Sequence, residues 1–520
     1  MPLRVDSFQC QVLVCRNIEA LVEATGLQSH PIGAIRTIGS YSLAAENHGE
    51  FLMTLGLKRI CVLASLLMVS AVASFAQDAK TLAKTLPVPD ERYKLDVLLV
   101  VAHPDDEAAA TAYLAKAMDE GKRAGVAYGT RGSSGANEAG TEQAAALGDI
   151  REIEARRALA KLGITDVWFI GGRDTASQDV LQSLSTWDHG AVLEQMVRIV
   201  RLTRPEVILT FLPGTFIGED HGDHQSAGVL ATEAFDLAGD PLVFPEQVTG
   251  PMRRLEPNFD NLRPWQPKKI YYFADATRED IFKGKGPSIS LTDISKSTKQ
   301  PYWRMALGSF LSHETQAKSH IDSFAKMDEA EIEKKATANG WTQPLEFVLG
   351  KSLVGGSVTG DVFEGIKPGA IPFARGQAAP EPEPSDVAIE LAGPWNFYAE
   401  FRRAHGLENL PHPEPPEIAL QAGTTLVIPL WLRNETAATQ EITLAVDLPA
   451  GWKVESGDGK FLVAAKQVAA LRVEISLPAL NDAKATKQDA QEVAVHGTSN
   501  GKSVGTVKLR VELRKRALPE

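Results

Sequence analysis

Two short segments concentrate the residue types that bind metal ions and move protons. They are His103-Pro104-Asp105-Asp106-Glu107 and Gly218-Glu219-Asp220-His221-Gly222-Asp223-His224. Across a turn, the i, i+3 spacing lets His103 and Asp106 aim at one point, as two ligands of one metal must. Asp105, between them, points elsewhere and is placed for a metal-bound water. One imidazole and one carboxylate leave a zinc site incomplete, because it wants a third protein ligand and an open position for water. Either His221 or His224 closes a His/Asp/His set. Taken singly, each segment has a plainer reading. HPDDE also suits a helix N-terminus with first-turn carboxylates, and HGDH suits a solvated loop. Their joint placement favours the metal.

That placement comes from the elements around them. LDVLLVVA over 95–102 is an apolar run of the kind found in a strand buried on both faces, and HPDDE follows it directly. The pattern then predicts a helix over 107–120, a strand over 124–130, and a Gly/Ser-rich loop. Beyond the loop come a helix over 149–162, a strand over 167–171, a helix over 191–202 and a strand over 206–212, with a further strand over 269–273. Repeated β-α units predict an α/β fold: a Rossmann-like, mostly parallel sheet with helices on both faces. In such sheets ligands bind beyond the carboxyl ends of the strands, which is where both motifs fall. The glycines of the second loop, Gly129, Gly132 and Gly135, do not have the dinucleotide-binding spacing.

Residues 374–415, with Pro380, Pro382 and Pro384, read as a Pro-rich linker. From 416 to 520 the apolar residues alternate, as in Leu471/Val473/Ile475/Leu477 and Val507/Leu509/Val511/Leu513. This predicts a C-terminal Ig-like antiparallel β-sandwich. It has no clustered histidines or carboxylates, so its expected role is attachment, substrate presentation or spacing. Composition narrows the function classes. The chain has 520 residues, 44% hydrophobic and 23% charged, with net charge −12. That argues against disorder and against a polytopic membrane protein. Its acidity, with no basic stripe, argues against a nucleic-acid partner and against a phosphoesterase or nuclease.

With these residues in hand, the sequence resembles the LmbE-like/PIG-L family of zinc-dependent de-N-acetylases. AHPDDE follows the first strand, TRG with a glycine-rich loop the second, and HxDH the fourth. Asp149-Ile150-Arg151-Glu152, Arg173-Asp174 and the late segment Ala306 to Gln316 match as well. The likeness spans roughly 95–325, within a catalytic domain expected over 90–373. It implies His103, Asp106 and His224 as ligands of Zn²⁺, with Fe²⁺ or Co²⁺ also compatible with such a set. It implies Asp105 as the general base and His221 as the group that stabilises the oxyanion or assists the leaving amine. Arg151 and Asp174 would contact the sugar, and Asp223 would orient a histidine from behind. The implied substrate is a small molecule, glycan or glycolipid with an N-acetyl amino sugar. Rival readings are an amidase on a larger N-acyl glycoside or thiol conjugate, and a secreted carbohydrate-binding protein with an inactive α/β domain. The loop at 131–137 lacks the glutamate common in relatives, which loosens any contact assigned to that loop.

The segment from Met53 has Lys58 and Arg59, an apolar run from Ile60 to Ala73, and small residues Ser74 and Ala76 before Gln77. This is the layout of a secretory signal peptide over 53–76, too short to span a membrane comfortably. Residues 1–52 read as an upstream over-extension, and the mature chain, without a membrane span, is expected in the periplasm or outside the cell. Cys10, Cys15 and Cys61 all precede the cleavage point, so the mature chain needs no disulfide. N-terminal sequencing of the exported protein is expected to begin at Gln77; a product retaining residues before Met53 would overturn the assignment.

Overall fold

The computed structural model describes residues 90–248, 262–276, 278–373, 376, 378–380, 385–480 and 487–515. The signal sequence and upstream segment expected over 1–76 lie outside these residues. Short runs dominated by aliphatic and aromatic residues form β1 (Val97–Val101), β2 (Ala124–Tyr128), β3 (Asp166–Phe169), β4 (Val207–Phe211) and β5 (Lys269–Phe273). These five are parallel in the order β3-β2-β1-β4-β5. All residues of β1, β2, β4 and β5 are buried, so both faces of the sheet are covered. Beyond β5 come a small antiparallel pair, β6 (Ser288–Ile289) with β7 (Leu345–Glu346), and then β8 (Val348–Ser352). β8 closes the main sheet antiparallel to β5.

The covering helices are α1 (Ala108–Asp119) after β1, α2 (Ala145–Ala160) after β2, and α3 (Val180–Thr186) with α4 (His189–Thr203) after β3. After β4 comes α5 (Gly222–Leu237), then α6 (Glu279–Phe282), α7 (Tyr302–Phe310), α8 (Glu314–Phe324) and α9 (Glu329–Ala338). α2 begins four residues before its predicted start and takes in Gly148. A Cβ there would lie 3.1 Å from Arg131 Cβ, so the missing side chain lets the glycine-rich loop settle on the helix. Likewise, a Cβ on Gly228 of α5 would stand 2.3 Å from the Phe211 carbonyl, and its absence allows α5 to press onto β4.

The linker expectation needs correcting. Val387–Leu391 is strand β9, and Pro394–His405 is helix α10. The prolines that suggested a linker end at Pro384. Beyond them Trp395, Tyr398 and Phe401 recur at helical spacing. Tyr398, Phe401, Leu407 and Leu410 belong to the same buried core as the parallel sheet. The sandwich therefore starts within the expected linker. Its remaining strands are β10 (Glu417–Gln421), β11 (Thr425–Asn434), β12 (Gln440–Asp447), β13 (Lys453–Ser456), β14 (Gly459–Val463), β15 (Gln467–Ser476), β16 (Lys487–Ser499) and β17 (Lys502–Arg514). One sheet runs β13-β15-β11-β9 and the other β10-β17-β16-β12-β14, with a separate core of Leu, Ile and Val between them. One pairing departs from the antiparallel expectation: β10 runs parallel to β17. Among the described residues no helix is long and apolar enough to cross a membrane.

Phe401→Ala is expected to lower stability by about 3–5 kcal/mol, the usual cost of truncating a buried aromatic. Urea unfolding measures it, and an unchanged midpoint would mean that this segment is a free linker after all.

Candidate active site and metal centre

β1 and β4 are neighbours at the point where the strand order reverses, so the loops leaving their carboxyl ends flank one crevice. The β1 loop folds back on itself. Asp106 Oδ2 accepts the amides of Ala102 at 3.1 Å and His103 at 2.7 Å, rather than capping α1. The same oxygen is 3.3 Å from His103 Nδ1, while Asp106 Oδ1 is 3.2 Å from His224 Nε2. The imidazoles of His103, His221 and His224 close a triangle with ring centroids 4.8, 5.0 and 5.4 Å apart. One nitrogen from each lies within 4.8 Å of the others. His103, Asp106, His221 and His224, placed by motif spacing, are thus brought together.

Each imidazole is fixed from behind. His224 Nδ1 is 2.8 Å from Glu219 Oε1, and its ring stacks on Phe211 with centroids 4.2 Å apart. That leaves Nε2 facing Asp106. His103 Nε2 is 3.0 Å from Asp174 Oδ1 and 3.3 Å from Asp223 Oδ2. His221 donates from Nε2 to the Thr175 carbonyl at 3.0 Å, so Nδ1 carries the lone pair. Burial, reinforced by the charges on His103 and His224, depresses the His221 pKa to about 4, and the ring is neutral near pH 7. The oxyanion role needs an N–H at the open nitrogen. This hydrogen bonding puts an acceptor there instead, able to take a proton or hold a cation.

Asp105 sits at φ 116°, in the left-handed region that a non-glycine residue avoids at a cost of about 1–3 kcal/mol. Its amide donates to Glu107 Oε2 at 2.8 Å, and Glu107 Oε1 is 2.6 Å from His313 Nε2. Glu107 and His313 are fully buried, and the pair holds the strained turn in place. Burial and the adjacent Asp106 carboxylate raise the Asp105 pKa to about 8.

The charge balance of the pocket points to a cation. Burial works against charge on His103 and His224, yet Asp106 and the carboxylates behind each ring raise both well above an ordinary imidazole. The buried carboxylates outnumber their partners, so protons on the imidazoles compensate them. Asp223 Oδ1, fully buried, has no partner. A divalent cation would supply that compensation in place of those protons, and His103, Asp106 and His224, with His221 beside them, fit one.

Arg151 and Asp174, the two residues expected at the substrate, both hold the glycine-rich loop. Arg151 is buried, and its guanidinium donates to the carbonyls of Gly132 at 2.7 Å and Ala136 at 2.8 Å. It braces the glycine-rich loop, where a Cβ on Gly135 would meet the guanidinium at 2.7 Å. Asp174 accepts from the amide and hydroxyl of Ser134, both at 2.6 Å, and faces His103. Asp223 does lie behind a histidine, as expected, and also accepts the Thr175 amide at 3.0 Å. Sequence reasoning assigned no role to Glu219, Glu107 or Asp275, the last 3.6 Å from His224 Nδ1. Glu219 and Glu107 stand inside the two motifs, and Asp275 follows β5, where the strand-end rule also points. Thr175 acts through its backbone, which leaves no signal in a sequence.

Residues 98–235 match the PIG-L family profile, described as GlcNAc-PI de-N-acetylase. A 1D-myo-inositol 2-acetamido-2-deoxy-alpha-D-glucopyranoside deacetylase of Streptomyces scabiei is 29% identical over 317 residues, covering 52% of this chain and 89% of the relative. An enzyme of that name from Frankia alni is 35% identical over 188 residues, covering 33% of this chain and 59% of its own. Among solved structures, N,N'-diacetylchitobiose deacetylase from Pyrococcus horikoshii is 17% identical, with a TM-score of 0.33, covering 52% of this chain and 88% of that one.

Within the matched span, Gly222 has no room for a side chain. A Cβ there would lie 2.7–2.9 Å from Ser183 Oγ and the carbonyls of Asp179 and Ser177. Gly222→Ala is expected to cost about 1–3 kcal/mol in urea unfolding, as overpacking does. Gly190→Ala, with open space around it, is the control and is expected to leave the midpoint in place.

Proposed function

With the α/β unit carrying a PIG-L domain, we propose that the chain is a metal-dependent hydrolase of the N-acetyl group on an N-acetylglucosamine-type conjugate. The observation that carries this reading is the convergence of Asp106 on both His103 and His224, with Asp105 alongside. The names of the relatives supply the substrate class: an acetamido sugar joined to a further group. Zinc is the metal we assign, from the His/Asp donor set. The signal-like segment before Gln77 supports export.

His103, Asp106 and His224 would hold the cation, which supplies a Lewis acid that acidifies a water and polarises the acetamide carbonyl. Asp105 takes the proton of the attacking water. Its strained turn, tied through Glu107 to His313, keeps the carboxylate from swinging onto the ligands. An amide nitrogen leaves poorly as an anion and needs a proton. The same Asp105 carboxyl, once it holds the water's proton, delivers it to the departing nitrogen. His221 Nδ1, neutral and facing the same space, is the second acceptor. Acetate and a free amino sugar are the products.

Metal analysis of residues 77–520, followed by acetate release across N-acetylglucosamine derivatives, tests the proposal. Chelation is expected to abolish turnover and added Zn²⁺ to restore it. Asp105→Asn is expected to keep bound metal while losing about 10²–10⁴ in rate, the range for a general base. His224→Ala is expected to lose metal. Full activity in Asp105→Asn, or release of only longer acids, would overturn the assignment.

A further inference from the structure

The segment 217–225, a loop running into the first turn of α5, carries Glu219, His221 and His224, and it is gripped from the sandwich side at several points. Glu417, at the start of β10, is 1% exposed. Its Oε2 accepts from Arg278 at 2.7 Å and from the Ile217 amide at 3.4 Å, and its Oε1 accepts from Arg510 of β17 at 2.9 Å. Arg514, at the end of β17, donates to Asp220 Oδ2 at 2.6 Å. Asp220 lies between Glu219 and His221, and its other oxygen is buried without a partner. Its carboxylate thus has Arg514 as its compensating charge. The Tyr398 hydroxyl of α10 donates to Gln225, which in turn donates to the Glu219 carbonyl at 3.4 Å. On the opposite wall, Gln178 donates to the Ala419 carbonyl of β10 at 3.2 Å, three residues from the Thr175 carbonyl that orients His221.

From these contacts we infer that the C-terminal sandwich is a working part of the site, with Glu417 and Arg514 as positioning residues for the loop that holds His221 and His224. A spacer would not need a buried carboxylate bridging its own β17 to Arg278 and to the backbone of the metal-site loop. Burying that charge costs free energy unless it is fully paired, and the pairing runs through both domains. The parallel pairing of β10 with β17 puts Glu417 beside Arg510 and Gln421 beside Arg514, so the two grips come from one pair of neighbouring strands. Losing either grip frees Glu219 and His224 to drift, which weakens the cation site before it touches sugar binding.

The inference rests on the cation reading above, and the test separates the two. Zn²⁺ affinity is measured by competition titration on the full chain, next to kcat and KM. Arg514→Ala is expected to weaken Zn²⁺ binding about tenfold, the lower end of what outer partners of metal ligands contribute. kcat is expected to fall with it, and KM to stay within about twofold, because the loop holds metal ligands rather than sugar. Arg514→Lys, which keeps the charge beside Asp220, is expected to recover most of the loss. Glu417→Gln, close in shape, is expected to reproduce the effect if Arg514→Ala does not fold. Lys508→Ala, which breaks an exposed pair with Glu492 in the same sheet, is the control and is expected to change neither quantity. Wild-type affinity and kcat in both Arg514→Ala and Glu417→Gln overturn the inference alone. A wild-type chain that binds no Zn²⁺ overturns the cation reading beneath it.

Discussion

The adjacency of β1 and β4 in the parallel sheet is the constraint on which the rest depends. Chain order runs outward from β1 in one direction through β2 and β3, and from β4 in the other through β5. Right-handed crossovers then carry the two sets of connections to opposite faces, leaving an open crevice beyond the strand ends. HPDDE and the HGDH loop are separated by more than a hundred residues. They meet because each lies in the connection that leaves the carboxyl end of one of these two strands.

Meeting there has an electrostatic cost. Asp106, Asp174, Asp223 and Glu219 are buried or nearly so around two imidazoles. Like charges in a water-poor pocket repel, and each lost hydration shell is expensive. The pocket offsets this with backbone amides from Ala102, His103, Thr175 and Ser134, and with charge on the imidazoles themselves. A divalent cation answers the same need more fully. One charge distribution thus accounts for the ligand arrangement, the raised proton affinity of His103 and His224, and the neutrality of His221. Asp105 stands at the edge of this field, its proton affinity raised by burial and by the neighbouring Asp106 carboxylate.

Much of the fold and site was legible in the chain. β1, β2, β4 and β5 are buried on both faces and read as short, mostly apolar runs, so their existence and type followed from hydropathy. The ligand candidates were legible because imidazoles and carboxylates clustered at strand ends. Less legible were groups whose work is done by their surroundings. Arg151 has the residue type of a sugar contact, yet it spends its donors on the carbonyls of Gly132 and Ala136. α10 was hidden behind the prolines at 380–384, although Trp395, Tyr398 and Phe401 kept helical spacing. The sandwich read as a module for attachment, substrate presentation or spacing because its strands carry no cluster of catalytic residue types. Its tie to the site runs through Glu417 and Arg514, ordinary surface residues by composition.

The amino-acid sequence by itself determined the α/β class, the strand ends that bear chemistry and the candidates for metal binding among the side chains. Periodicity and residue chemistry are local, and local patterns survive in one dimension. The tertiary structure alone decided which nitrogen of each histidine faces the cation position and that Asp105 sits in a strained turn. It also decided that Asp174 backs His103 and that β10 and β17 brace the loop of His221 and His224. Those outcomes depend on which hydrogen-bond acceptors arrive beside each group once both cores have packed. For His221 that partner is the Thr175 carbonyl, a group every residue carries; for His103 and His224 it is a carboxylate, that of Asp174 and that of Glu219.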